Sequence, residues 1–132
     1  MESATWSIPA LADEVTGVRH AAVQFARRHG VPDDRLADLR LAISEAVSNA
    51  VIHAFRMREF PGTVMLTIAV EPERFAEVLI RDDGVGMSPR GDSPGLGLGL
   101  SVIERIADET ERRRPADGVG FELWMRFRFG PD

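Results

Sequence analysis

Apolar residues recur along this chain at two different spacings, and each spacing predicts a different kind of element. Three segments carry them every three to four residues, which is typical of amphipathic helices. These segments are Ala10–His29, a stretch that opens at Pro32 and runs to Phe55, and Leu96–Ala107. Gly30 suits the end of the first helix, and Pro32 suits the start of the second. The sequence therefore predicts three helices.

Five shorter segments are typical of β-strands, because they are rich in β-branched or aromatic residues or alternate between apolar and polar positions. They are Thr5–Ile8, Thr63–Val70, Phe75–Asp82, Glu109–Arg114 and Phe121–Phe129. The order strand, helix, helix, strand, strand, helix, strand, strand predicts an α+β fold. We expect a two-layer α/β sandwich, in which a mixed, mostly antiparallel sheet carries the helices on one face. The 132 residues fit a single domain, 1–132.

A carboxylate interrupts the apolar side of the third predicted strand. Val78, Ile80 and Asp82 share one face of that strand, since side chains alternate along it. A carboxylate that continues an apolar face is costly to bury without a partner. Asp82 is therefore a candidate ligand-binding residue, whereas its neighbour Asp83 is interpreted as a solvated side chain.

The second predicted helix places Glu45, Asn49 and His53 four residues apart. Steps of four turn a helix by only about 40°, so the three side chains form one polar ribbon beside an apolar stripe. A carboxylate can accept a proton from an attacking hydroxyl, and a carboxamide oxygen suits Mg²⁺. The ribbon indicates either a functional site or three satisfied polar residues on a helix flank.

Two groups of glycines lie near the predicted start of the third helix. Gly84 and Gly86 follow Asp82 and allow a tight backbone turn, although an Asp-Gly turn is also a common structural feature. Gly95, Gly97 and Gly99 precede the helix, where free backbone N–H groups can bind phosphate. The spacing is not that of the dinucleotide fingerprint, and the lysine of a P-loop is missing.

Composition excludes several classes of protein. The formal net charge of -5 argues against nucleic-acid binding, which favours a basic excess. The chain contains no cysteine, so it can form neither a disulfide nor a thiolate metal site. No apolar run approaches the ~20 residues of a membrane span, and the N-terminus does not have the pattern of a signal peptide. We therefore expect a soluble, cytoplasmic protein with no membrane contact.

Three motifs follow one another along nearly the whole chain: Glu-x3-Asn-x3-His, Asp-x-Gly-x-Gly and Gly-x-Gly-Leu. They begin at Glu45, at Asp82 and within Gly95–Leu100. In this order they resemble the GHKL, or Bergerat-fold, ATP-binding superfamily, which includes gyrase, Hsp90, histidine kinases and MutL. Within it, the short chain is similar to the anti-sigma factor serine/threonine kinases.

This resemblance implies ATP and Mg²⁺ as cofactors. It implies that Glu45 is the catalytic base, that Asn49 holds magnesium against the phosphates, and that Asp82 accepts a hydrogen bond from the adenine amine. The other implied nucleotide contacts are His53, Gly84, Gly86, Gly95, Gly97, Leu98 and Gly99. His53 has a second interpretation, as a structural residue near a helix end.

The resemblance also implies an activity and its partners. The activity is transfer of phosphate to a serine of a STAS-like anti-sigma factor antagonist, combined with sequestration of a sigma factor. Arg19 in the first helix matches an arginine that faces protein partners, and such kinases form homodimers. Asp108 and Glu109 match an Asp-Glu pair that ends the last helix of these kinases.

One position departs from the pattern of these kinases. They usually carry a threonine after the glycine near the last strand, where it helps to hold a water at adenine, whereas Phe121 follows Gly120 here. This departure keeps open a partner-switching regulator that binds nucleotide and transfers nothing. A second alternative is the ATP-binding domain of a histidine kinase.

Overall fold

A computed structural model describes residues 1–55, 62–83, 96–114 and 120–131, with residues 53–55 and 96–99 described by their backbone. Five strands and three α-helices lie in these ranges. The strands are β1 (Glu2–Pro9), β2 (Thr63–Glu71), β3 (Phe75–Asp82), β4 (Glu109–Arg113) and β5 (Phe121–Arg128). The helices are α1 (Val15–Arg28), α2 (Asp33–Phe55) and α3 (Leu96–Ile106). The element order and the α+β class predicted from the sequence are confirmed.

The strands form one sheet in the order β1-β2-β3-β5-β4. All of its pairings among the described residues are antiparallel, so the prediction of a mixed sheet is wrong. The reason lies in the last connection. The crossover through α3 brings β4 back parallel to β3, but β5 then folds between them and pairs antiparallel with both.

Alternation along the central strands separates a buried face from a partly exposed one. The inward residues of β2 and β3 are at most 2% exposed, and β5 adds three more buried side chains. They are Val64, Leu66, Ile68, Val70, Ala76, Val78, Ile80, Leu123, Met125 and Phe127. Burying a side chain the size of Val, Leu, Ile, Met or Phe contributes roughly 1.5–3 kcal/mol, so this layer makes a large contribution to stability. The helices contact this face, with α2 packed between α1 and α3.

Two predicted boundaries differ from the structure at the N-terminus. The strand predicted over Thr5–Ile8 begins at Glu2, because residues with little strand propensity pair along β2 in an unbroken register. The helix predicted from Ala10 begins at Val15, after a short 3₁₀ turn over Ala12–Glu14. Pairing with β2 sets the start of β1, and the 3₁₀ turn sets the start of α1.

A half-buried arginine joins the start of α2 to the far end of the sheet. Arg35 donates to Asp38 (2.6 Å) and to Asp108 (2.5 Å), and its guanidinium lies 5.4 Å from the ring centre of Phe127. Asp108 also accepts from the backbone N–H of Arg128 at 2.7 Å. The aspartate that ends the third helical segment therefore ties α2, the α3–β4 connection and β5 together. No helix in the described part of the chain is long and apolar enough to cross a membrane.

Candidate functional site

Helix α2 and strand β3 bring two buried polar side chains to the same cavity. Asn49 on α2 is 7% exposed and Asp82 at the end of β3 is 2% exposed; they are the buried polar or charged residues among those described. The cavity leaves only about 10 Å³ for the centre of a water molecule, within about 250 Å³ of space between atoms that includes open solvent. Its other lining residues are apolar: Ala46, Ala50, Ile80, Leu100, Phe121 and Leu123. A mostly apolar cleft with a few convergent polar groups is the usual form of a small-molecule site.

Strand alternation is what directs Asp82 into this cavity. It follows Val78 and Ile80 on the buried face of β3, as the sequence predicts. Its neighbour Asp83 points away from that face, and in addition to its partial exposure to solvent it makes a structural contact. Asp83 is half-buried and accepts a 2.7 Å hydrogen bond from the backbone N–H of Thr63, which fixes the end of β3 against the start of β2.

The wall beside Asp82 is formed where β5 begins. Gly120 has φ +81°, and a Cβ at this position would lie 1.8 Å from the carbonyl oxygen of Asp82. The close approach lets β5 pair directly with the end of β3, with Phe121 opposite Asp82 in the register. Cross-strand partners project to the same side of a sheet, so the Phe121 ring lines the cavity next to the carboxylate.

Asn49 presents a buried polar group that has no hydrogen-bond partner in the described part of the chain. Its Nδ2 is buried and makes no hydrogen bond within the described residues. A buried, unpaired amide costs about 1–3 kcal/mol, and in a cavity it points to a missing ligand. Its carboxamide oxygen is a hard ligand that suits Mg²⁺. The described ranges contain no cluster of three or more His, Cys, Asp or Glu side chains that could hold a metal ion.

Glu45 lies one helical turn before Asn49 on α2 and is half-buried. It does not line the cavity itself. From the helix geometry, Glu45 is rotated by about 40° from Asn49, away from Ala46 and Ala50. The carboxylate therefore belongs to the edge of the cavity, on the side of α2 that faces outward.

Several other predicted contacts are only partly described. Gly84, Gly86 and Gly95 lie outside the described residues, as does the side chain of His53, whose backbone belongs to α2. Gly97 and Gly99, which were expected to supply N–H groups at the N-terminus of the third helix, lie with Leu98 in the first turn of α3, and this helix begins at Leu96 as predicted. Their backbone N–H groups are still among the first four of the helix, which have no partner within it.

Arg19 lies on α1, in a separate open cleft between α1 and α2. Its Nη1 donates a 2.9 Å hydrogen bond to the Ser44 hydroxyl. His20 and Arg40 line the same cleft, together with Thr16, Gly17 and Val23. In a chain of net charge -5, this cleft is a local concentration of cationic groups.

Sequence patterns do not identify all the apolar walls of the cavity. Leu100 and Leu123 come from segments far apart in the chain, and their local patterns show only that they face a core. Ala46 and Ala50 follow from the helix periodicity, since they lie on the face of α2 adjacent to Asn49. The small side chains at these two positions indicate that space remains beside Asn49.

Comparison with known proteins places this chain in a family. Residues 8–127 match the histidine kinase-like ATPase domain family. The chain therefore belongs to the histidine kinase-like ATPase domains, the class expected from the ordered motifs.

Curated relatives agree with this assignment, and a solved structure shares the fold. The chain is 29% identical over 125 residues to the serine-protein kinase RsbW of Bacillus mycoides, covering 83% of this chain and 76% of the relative. It is 30% identical to that of Staphylococcus epidermidis, covering 77% and 73%, and 25% identical to the anti-sigma F factor of Priestia megaterium, covering 76% and 75%. The mycobacterial sensor histidine kinase MprB shares the fold, with a TM-score of 0.57 at 18% identity over 96% of this chain and all of that one.

Proposed function

We propose that this protein is an ATP-dependent serine/threonine kinase that acts as an anti-sigma regulatory factor. The observation that carries the proposal is the apolar cavity in which buried Asp82 and Asn49 meet, with Glu45 one turn away on α2. The similar proteins named serine-protein kinase and anti-sigma F factor support this choice within the family.

Each polar residue has one task in this mechanism. Asp82 accepts a hydrogen bond from the exocyclic amine of adenine, while the apolar walls hold the base. Asn49 would hold Mg²⁺, which neutralises phosphate charge when bound. Glu45 accepts the proton of the acceptor serine, whose oxygen then bonds to the γ-phosphorus. The bond from that phosphorus to the β,γ-bridging oxygen breaks, and ADP leaves with the electron pair.

The proposed partners are a sigma factor and a STAS-like antagonist that carries the acceptor serine. The cationic cleft around Arg19 is the proposed partner-binding surface, since Arg19 is half-buried and oriented by Ser44. A preoriented guanidinium suits a carboxylate on a partner protein. Homodimerisation is also part of this proposal, by similarity with anti-sigma kinases.

Asp82→Asn is expected to weaken ATP and ADP binding alike, by about 10–100-fold, because a hydrogen bond to a charged acceptor contributes roughly 1.5–3 kcal/mol. The amide still has an oxygen, but it also presents donors to the donating adenine amine. Titration calorimetry with ADP measures the change.

Asp83→Asn is the matched control, because this neighbouring carboxylate bonds to Thr63 and does not line the cavity around Asn49. We expect parental ADP affinity in this variant. Equal ADP affinity in Asp82→Asn and the parent protein would remove Asp82 from the nucleotide site.

Asn49→Ala is expected to abolish magnesium-dependent ATP binding and to leave the fold intact. The structural reason for an intact fold is that Nδ2 has no described partner to lose, so the change removes an unsatisfied buried group. ATP titrations with Mg²⁺ and with EDTA, run beside thermal melts, separate the two effects. Normal Mg-ATP binding would rule out the ligand role, and a large fall in melting temperature would show that Asn49 is structural.

The kinase assignment itself is tested by incubating the protein with γ-labelled ATP and each STAS-like antagonist encoded in the same genome. Label on a serine of one of them is the expected result. Phe121 favours a second candidate, a regulator that binds nucleotide without transferring phosphate, since its ring stands beside Asp82 where a hydroxyl could hold water. ADP binding with no transfer to any antagonist would establish that second function.

A further inference from the structure

Two exposed hydrophobic side chains lie on α2, on either side of Glu45 along the helix. Leu41 is 43% exposed and Ile52 is 51% exposed. In the described part of the chain, the other exposed large hydrophobic residues are Met1 and Leu11, both near the N-terminus. Exposed hydrophobics that occur singly are ordinary on protein surfaces, but a pair that brackets a candidate catalytic base is a specific arrangement.

Helix geometry places these residues on one narrow face. With 100° of rotation per residue, Leu41, Glu45, Ser48 and Ile52 fall within an arc of about 60°. The eleven residue-to-residue steps from Leu41 to Ile52 span about 16 Å along the helix axis. We call this face, formed by Leu41, Glu45, Ser48 and Ile52, the α2 ridge.

Glu45 forms the border between the ridge and the nucleotide cavity. The other three ridge residues lie on one side of Glu45, whereas Asn49, Ala46 and Ala50 lie on its other side. A hydroxyl group that gives its proton to Glu45 must therefore approach from the ridge side, since the cavity side would be occupied by nucleotide. The protein that carries this hydroxyl covers Leu41 and Ile52 when it reaches the carboxylate.

The charge next to the ridge indicates what kind of partner fits. Ser44 lies beside Ser48 on the helix surface and is bonded to Arg19, so the cationic cleft adjoins the ridge. Arg40 adds a second positive charge to that cleft, which His20 also lines. A complementary partner has an apolar patch around its acceptor hydroxyl and acidic residues on the side that meets the cleft.

We propose that the α2 ridge is the docking surface for the protein substrate, which presents its acceptor serine to Glu45 between contacts with Leu41 and Ile52. This inference rests on the proposed kinase function. Apolar contacts around the serine also exclude water from the proton transfer, as contacts surrounding an interface hot spot do.

The test compares Leu41→Ser, Ile52→Ser and the double variant with Leu11→Ser, an exposed leucine outside the ridge. The substrate is the antagonist that the parent protein labels in the screen described above. We expect the double variant to raise the KM for this antagonist by about tenfold with kcat unchanged, the signature of lost ground-state binding. Leu11→Ser should keep the parental KM, and all variants should keep the parental ADP affinity and melting temperature.

Different results overturn different proposals. A parental KM in the double variant, with labelling intact, overturns the docking surface and leaves the kinase function in place. A double variant that sediments differently at parental KM would show that the ridge contacts a second copy of the chain instead. If the parent protein labels no antagonist, the kinase function fails, and the docking surface fails with it.

Discussion

Glu45→Gln is expected to lower the rate of phosphate transfer by about 10²–10⁴-fold, the usual contribution of a positioned general base. The substitution is nearly isosteric and removes only the basic oxygen. ATP and magnesium binding should persist, because Asn49 and Asp82 are the buried polar residues of the cavity and Glu45 does not line it. Single-turnover transfer from labelled ATP to the antagonist, measured beside nucleotide affinity, gives both quantities.

Glu104→Gln is the matched control for this substitution. Glu104 is an exposed carboxylate on α3, paired with Arg112 at 3.4 Å, and exposed pairs of this kind contribute little. This variant should transfer phosphate at the parental rate. If Glu45→Gln also does so, then Glu45 is not the base. Loss of nucleotide binding in Glu45→Gln would instead show that the residue belongs to the binding site.

Local sequence patterns predict the parts of this site that depend on a single element. Alternation along β3 places Asp82 on the buried face, because Val78 and Ile80 fix the phase of the strand. Helical spacing places Glu45 and Asn49 one turn apart on α2. Both predictions need only the geometry of one element, and periodicity carries that information.

Features that join distant segments are not available from such patterns. The hydrogen bond from Arg35 to Asp108 spans 73 positions, and no local signal marks Arg35 as its partner. Phe121 pairs with Asp82 because β5 folds between β3 and β4. The local sequence patterns do not specify this strand order, and the sheet was predicted to be mixed. The cavity wall depends on this pairing.

Gly120→Ala is expected to destabilise the protein by about 3 kcal/mol, near the upper end of ordinary single substitutions. The positive φ of Gly120 alone costs an L-residue roughly 1–2 kcal/mol. The remainder comes from the added Cβ, which would lie 1.8 Å from the Asp82 carbonyl oxygen and must push β5 away from β3. For a domain of this size the melting temperature should fall by roughly 10 °C.

Gly17→Ala makes the same chemical change as Gly120→Ala, but it is expected to stabilise the protein. A Cβ on Gly17, within α1, meets nothing within 4 Å, so the variant should gain about 0.5–1 kcal/mol from helix propensity. Thermal melts and urea titrations of both variants measure this difference.

Because the displaced backbone in Gly120→Ala belongs to Asp82, ADP affinity should also fall at temperatures where the variant is folded. A Gly120→Ala protein with parental melting temperature and ADP affinity would show that β5 does not approach β3 this closely. Phe121 would then not form the wall of the cavity beside Asp82.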